Sequence, residues 1–511
     1  MILSMFSDQA HICRGSSLSR ASLAARRGWS VIRSAAQLPR PTIAGACDSQ
    51  HRLSTTPPAA AVAPLPAPRR RASAAARLVP RAGMVATLAA LAPDLMAQQA
   101  FAAAKLFAAV VAFGSGVLGA VAWLDAKRKT QKPGLQYAPT EFNQRVLSAC
   151  PSLHLPYEPL PFMTNPHVET ILAAKTRSKP PLRYKREILM TADGGCVALD
   201  WEHLEADKSL PEDAPVLVLL PGLTGGSGDS YVSHAVVSAR AAGIRAVVFN
   251  SRGTADSPVL TPQFYSASFT GDTRAVISHV ARRFPRSRAL LAAGWSLGAN
   301  ILLRYLGEEG AATPLRAAVS MCNPFNLTVS NQGLTRGFNR IYDLNLARSL
   351  QRIFSKHAPL WTGMPPPFRP DEVTRGSTIR HFDECITIHS FGWPSVDAYY
   401  AGSSSSLSVA LITVPTLCIQ ALDDPIAPKE ATPFEALRQN PNCTLVTTLT
   451  GGHLGWVAGP DAPFGAPWTD KVMFEWLNSV MSELEATKQP KTDSEATSDM
   501  VKAPQTAVVT A

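Results

Sequence analysis

Three residues far apart in the chain have the types that acyl transfer needs. Ser296 stands in Gly294-Trp-Ser-Leu-Gly298, Asp424 in Ala421-Leu-Asp-Asp-Pro-Ile-Ala-Pro428, and His453 in Leu449-Thr-Gly-Gly-His-Leu-Gly-Trp456. A serine hydroxyl is a weak nucleophile until a base takes its proton, and the base needs a carboxylate to fix its tautomer. Serine, then acid, then histidine is one of the chain orders in which such a set occurs. Just before the serine, Arg288-Ala-Leu-Leu-Ala-Ala293 reads as a buried strand; just after it, Ala299-Asn-Ile-Leu-Leu-Arg-Tyr-Leu306 reads as a helix. A serine on that turn is lifted above the sheet, while Gly294 and Gly298 keep side chains out of the bend.

Two carboxylates compete to orient the histidine. Asp424 begins a D-x-x-x-P pattern ending at Pro428, whereas Asp423 sits one residue early, so Asp424 is favoured. The negative oxygen formed when a serine attacks an ester needs preorganised N–H donors. One is expected from the backbone of Leu297, next to the nucleophile. The other is expected from Leu223 in Pro221-Gly-Leu-Thr-Gly-Gly-Ser227, with Gly222 letting the backbone come close to a substrate. That glycine-rich stretch has no Gly-Lys-Ser/Thr ending and no G-x-G-x-x-G entering a helix, which argues against a nucleotide cradle.

These groups need a rigid frame. Val216-Leu-Val-Leu-Leu220, Arg245-Ala-Val-Val-Phe249, Ala317-Ala-Val-Ser-Met321, Thr416-Leu-Cys-Ile-Gln420 and Thr444-Leu-Val-Thr-Thr448 are short apolar runs separated by helical stretches. Such alternation predicts an α/β architecture, a mostly parallel sheet with helices on both faces, over residues 137–484. Roughly 95 residues separate the strand near Ala318 from the one near Leu417, too many for one crossover. The region 323–405 is therefore expected to be a helical cap. Within it, the amphipathic stretch from Arg340 to Phe354 offers Ile341, Leu344, Leu346, Leu350, Ile353 and Phe354 either to an acyl pocket or to the core of the cap itself.

Composition adds what lies outside that frame. The net charge is +11, but residues 1–93 hold 12 arginines, no lysine and only Asp8 and Asp48 as acids, which is +10 of it. The body is near neutral, so nucleic acid is not an expected partner. An arginine-, serine- and alanine-rich leader fits a mitochondrial or chloroplast transit peptide. From Leu106 to Leu124 the chain carries no charge, and 19 residues of helix would rise roughly 28 Å. Residues 105–126 are accordingly expected to form a single membrane-spanning helix, with Lys127, Arg128 and Lys129 on its flank. The eight cysteines form no C-x-x-C pair and imply neither a disulfide framework nor a zinc site. The polar tail 485–511 is expected to be disordered.

The segments Pro221-Gly-Leu-Thr-Gly-Gly-Ser, Asn250-Ser-Arg-Gly, Gly294-Trp-Ser-Leu-Gly-Ala-Asn, Phe382-Asp-Glu, Tyr399-Tyr, Ala421-Leu-Asp-Asp-Pro and Gly451-Gly-His resemble one α/β-hydrolase subfamily. It includes plant embryogenesis-associated proteins, membrane-anchored acylglycerol and phospholipid lipases, and yeast medium-chain esterases. Asn165-Pro-His-Val-Glu-Thr-Ile171 is similar to that family's entry motif. Pro221 departs from the members that carry histidine before the oxyanion glycine and is similar to the plant-like ones. The resemblance implies an α/β-hydrolase fold and a serine hydrolase cleaving carboxylic esters, with acyl lipids of short to medium chain as substrates. It implies no metal or organic cofactor, and it places the enzyme at a membrane. Two other readings remain: an acyltransferase using the same triad, for which the chain lacks an H-x-x-x-x-D pattern, and a non-catalytic scaffold, against which an intact triad argues.

Overall fold

The computed structural model describes residues 104–105, 107–108, 111–203 and 210–487. The leader 1–93 and nearly all of the tail lie outside them. The strands are β1 (Gly134–Tyr137), β2 (Tyr184–Met190), β3 (Cys196–Glu202), β4 (Val216–Leu220), β5 (Arg245–Asn250), β6 (Leu290–Trp295), β7 (Ala317–Met321), β8 (Thr416–Ala421) and β9 (Cys443–Thr448). They form one nine-stranded sheet in the order β1-β9-β8-β7-β6-β4-β5-β3-β2. From β5 through β9 the pairings are parallel; β1, β2 and β3 join antiparallel.

Side-chain alternation explains why the central strands are apolar throughout. Val216, Val218 and Leu220 of β4 face one core, and Leu217 and Leu219 face the other. Helices Ser230–Ala241 and Trp468–Ala486 cover the second face through Val232, Val236, Val472 and Leu477. Helices Gly271–Arg283 and Leu297–Glu309 cover the first through Val276, Ile277, Leu302 and Leu306. Both faces being buried, each strand must be hydrophobic in both phases of its pleat.

The three antiparallel strands depart from that signature. β2 is an edge strand with Lys185, Arg186, Ile188 and Met190 exposed. In β3, Asp200 is buried in the sheet. Its carboxylate takes both heads of Arg186 at 2.7 Å, the Ser227 hydroxyl at 2.6 Å and the Asn250 amide at 2.8 Å.

Between β7 and β8 stand the helices Leu327–Leu334, Arg340–His357, Ile379–Phe382 and Val396–Ser403. Leu350, Phe354, Trp361, Val373 and Phe382 form a core of their own with Val259 and Phe264, which follow β5. Ile353 packs against that cluster, whereas Ile341, Leu344 and Leu346 stay half-buried. Helix Trp468–Ala486 runs past residue 484, where the domain was expected to end.

The membrane span needs correction. A helix covers residues 111–129, yet among the described residues no helix is long and apolar enough to cross a membrane. Leu106, Ala109 and Val110 of the predicted span lie outside the described residues, and Asp125, Lys127, Arg128 and Lys129 fall in the last turns of the helix. Its apolar side chains are nevertheless open, with Phe113 77% and Leu118 66% exposed. The transit-peptide leader lies wholly outside the described residues.

Candidate active site

β6 ends at Trp295, helix Leu297–Glu309 starts two residues later, and Ser296 occupies the turn between them. Its backbone sits at φ 52°, ψ −118°, a strained conformation for a residue with a side chain. The Ser296 N–H donates to Met321 O of β7 at 2.8 Å, which ties the turn to the sheet. A Cβ on Gly294 would stand 2.7 Å from Ala299 N and Gly298 O; one on Gly298 would collide with the carbonyl oxygens of Leu220 and Pro221. Neither position admits another residue without moving the bend.

The other two groups follow β8 and β9. Asp424 lies buried in a turn where Oδ1 accepts from the N–H groups of Ile426 and Ala427, each at 2.8 Å. Its Oδ2 lies 2.8 Å and its Oδ1 3.1 Å from His453 Nδ1. His453 Nε2 in turn lies 3.0 Å from Ser296 Oγ. Asp424, His453 and Ser296 thus form one hydrogen-bonded line, with the aspartate end buried and the serine half-buried. Asp423 turns elsewhere: Oδ1 accepts from Gly452 N at 3.0 Å, and burial pushes its acid up to about 7.

Leu223 and Leu297 flank the serine with backbone N–H groups that have no hydrogen-bond partner among the described residues. Leu297 N is the first of a helix, where the dipole favours negative charge. Leu223 lies between two residues pinned by tyrosines. Gly222 N donates to Tyr231 Oη at 3.1 Å and Thr224 N to Tyr265 Oη at 2.7 Å. Thr224 stands at φ 61°, and Gly222 comes so close that a Cβ there would be 3.3 Å from Ser296 Cβ. The side chains of the two leucines pack on the helical insertion: Leu223 on the cluster of Leu350 and Phe354, Leu297 on that of Ile388, Val396 and Tyr399.

The sequence motifs of less obvious purpose turn out to be supports. Asn250 Oδ1 accepts from Ser227 N at 2.9 Å, bracing the loop of Leu223 from behind. Arg252 is buried between Asp193 and Asp272, with which it forms ion pairs at 2.7 and 2.6 Å. In the insertion, Tyr400 donates to Asp383 Oδ2 at 2.8 Å, and burial raises that acid to about 6. The Tyr399 hydroxyl accepts from Ala267 N at 2.9 Å. Tyr231 and Tyr265 were not foreseen, because a tyrosine near an apolar run reads as core.

Cys322 Sγ, Asp424 and His453 bring potential ligand atoms within 4.8 Å of one another. Burial, helped by the Asp424 charge, pushes the Cys322 thiol up, its Sγ accepts from Leu454 N at 3.4 Å, and Asp424 and His453 are engaged with each other in the line to Ser296. The six described cysteines are free and buried.

A family profile described as the alpha/beta hydrolase fold matches residues 215–460. The embryogenesis-associated protein EMB8 of Picea glauca is 52% identical over 66% of this chain and 75% of its own length. Phospholipase ABHD3 of Homo sapiens is 34% identical over 72% of this chain and 92% of its own. A monoacylglycerol lipase of Saccharomyces cerevisiae is 36% identical over 47% of this chain and 55% of its own. The matched profile begins at the edge of β4 and closes just past His453, so it takes in the serine turn, the Asp424 turn and the histidine loop together. Likeness of this extent, on a sheet of this order, makes the chain a member of the α/β-hydrolase family.

Proposed function

We propose that the protein is a serine hydrolase that cleaves carboxylic esters of acyl lipids through an acyl-enzyme on Ser296. The observation that carries this reading is the unbroken line Asp424–His453–Ser296 beside two free N–H groups. In the reaction, His453 Nε2 takes the serine proton as Oγ bonds to the ester carbonyl carbon. Asp424 fixes the ring with Nδ1 protonated and stabilises the imidazolium that forms. The Leu223 and Leu297 N–H groups receive the new oxyanion, and His453 returns the proton to the departing alcohol. A water then gives a proton to the same histidine as its oxygen bonds to the acyl carbon, and the histidine passes that proton to Ser296 Oγ as the bond to the acyl group breaks and the acid leaves.

The oxyanion assignment gives a specific expectation. Tyr265→Phe removes the acceptor for Thr224 N–H and leaves Leu223 less firmly aimed. We expect kcat to fall about tenfold with KM little changed, a fraction of the loss from deleting an oxyanion donor outright. Unchanged kcat would mean that the tyrosine is packing only.

Support for lipid esters comes from three directions. Relatives carry the names phospholipase and monoacylglycerol lipase. Ile341, Leu344 and Leu346 keep half-buried apolar surface on the insertion, which we take to be the cap of the acyl site. Helix 111–129 presents open Phe113 and Leu118 and carries Lys127 and Arg128 in its last turn, apolar surface and positive charge on one element that favour contact with an anionic membrane surface. The test is a series of p-nitrophenyl or glycerol esters of increasing chain length. Each added methylene should contribute up to ~0.8 kcal/mol, or up to about fourfold in kcat/KM, until the site is full. Preference for acetyl esters throughout the series would rule out the lipid reading.

A further inference from the structure

The loop that carries His453 is conformationally costly. Gly452 stands at φ 51°, and beyond the histidine Leu454 and Trp456, neither of them glycine, stand at φ 63° and 46°. Each left-handed residue with a side chain costs roughly 1–2 kcal/mol, so something outside the loop must hold it there. The ends of the neighbouring strands supply part of that support: Asp423 Oδ1 accepts from Gly452 N at 3.0 Å, Cys322 Sγ from Leu454 N at 3.4 Å and Thr448 Oγ1 from Trp456 Nε1 at 2.9 Å. The rest comes from helix Pro166–Thr176 and Arg177, the residue that ends it.

Thr170 Oγ1 accepts from His453 N at 2.9 Å. Glu169 Oε1 accepts from Val457 N at 2.9 Å and from the Tyr157 hydroxyl at 3.4 Å. Arg177 Nη1 donates to Leu454 O at 2.9 Å, and its Nη2 donates to Gly455 O. Gly452 packs so closely on this helix that a Cβ would lie 2.6 Å from Thr170 Oγ1 and 2.9 Å from Pro166 O. All three side chains are buried, so each of these bonds forms out of water, where losing the partner leaves an unpaired group. The loop is gripped at the histidine itself and at the peptide groups following it.

We propose that helix Pro166–Thr176 is a positioning element of the reaction: Thr170 through the His453 N–H, and Glu169 and Arg177 through Val457, Leu454 and Gly455, keep Nε2 within reach of Ser296 Oγ. The assignment rests on the reading of Ser296 and His453 as nucleophile and base. Thr170, Glu169 and Arg177 touch no reacting atom; they set where the base stands. The Asn165-Pro-His-Val-Glu-Thr-Ile171 motif thereby acquires a task. Asn165 caps the helix, accepting from His167 N and Val168 N, Pro166 occupies its first position, and the next turn delivers Glu169 and Thr170.

The test uses the full chain. Thr170→Val keeps the branched shape and leaves the His453 N–H without its acceptor; Thr170→Ser keeps the acceptor. The valine variant should lose about 10- to 100-fold in kcat with KM within twofold, because displacing a catalytic group by a fraction of an ångström acts on the chemical step. Fluorophosphonate labelling of Ser296 should slow by the same factor. The serine variant should stay within about threefold of wild type in both measurements. Wild-type rates in Thr170→Val, or an equal loss in Thr170→Ser, would overturn the proposal. Should Thr170→Val fail to fold, Arg177→Lys, which keeps the charge but cannot serve two carbonyls in the same way, should show the same fall in kcat at constant KM; normal kcat there overturns it equally. Peptide mapping of the labelled wild-type protein separates the two layers. No label on Ser296 defeats the catalytic reading itself, whereas a labelled Ser296 with rates indifferent to Thr170 defeats only the role of the helix.

Discussion

Replacing Ser296 with alanine should lower ester turnover by at least about 10⁴-fold and abolish covalent labelling by fluorophosphonates, with the protein still folded. The size of the effect follows from what is lost. Without Oγ there is no atom for the acyl group to be carried on, and neither His453 nor the free N–H groups of Leu223 and Leu297 can substitute for it. Stability should change little, because the strain at φ 52° belongs to any residue with a Cβ at that turn, and alanine removes only one half-buried oxygen. The measurement is turnover together with active-site labelling, and circular dichroism checks the fold. Undiminished labelling of the alanine variant would move the nucleophile elsewhere.

The second large effect separates two adjacent aspartates. Asp424→Asn should reduce kcat by about 10³- to 10⁴-fold, since an amide can present its N–H₂ to Nδ1 and favour the tautomer that cannot accept the serine proton. Asp423→Asn should cost less than about tenfold. Its Oδ1 accepts one N–H, from Gly452, and an amide oxygen serves there as well. Burial raises the Asp423 acid to about 7, so near neutral pH much of it is already the uncharged acid, which an amide resembles in shape and charge. Comparing kcat for the two variants under one set of conditions decides the matter: a larger loss in Asp423→Asn transfers the orienting role to it.

How far the molecule could be read in advance depended on where each residue's constraint lies. The parallel strands were legible because both of their faces are buried, so Val216–Leu220 or Thr416–Ala421 cannot be anything but short and apolar. β2 was not, since an edge strand with Lys185 and Arg186 in water carries no such pattern. The serine turn announced itself through two glycines that the local bend demands. The grip on the histidine loop did not, because its partners are distant: Thr170 is 283 residues from His453, and Glu169 is 288 from Val457. On a helix, Glu169, Thr170 and Arg177 have the composition of an ordinary solvated turn, and only the fold shows them buried. The helix at 111–129 illustrates the opposite error. An uncharged stretch suggested a span, but among the described residues no helix is long and apolar enough to cross a membrane, and lack of charge does not by itself decide where a helix sits.

The same long reach has a consequence for the order in which the molecule comes into being. β1 pairs with β9, Gly134 opposite Thr447, and the helix beginning at Pro166 waits for a loop that begins at Gly451. A ribosome adding about 5–20 residues per second needs roughly 15–55 seconds to travel from Arg177 to Val457. During that interval the serine turn and its sheet neighbours can assemble, but β1 has no strand to pair with and the buried carboxyl of Glu169 has no amide to meet. The nascent chain is therefore both without its histidine loop and exposed along an open sheet edge until its final third emerges. Hydrolytic competence arrives late and all at once, when the two ends of the domain meet.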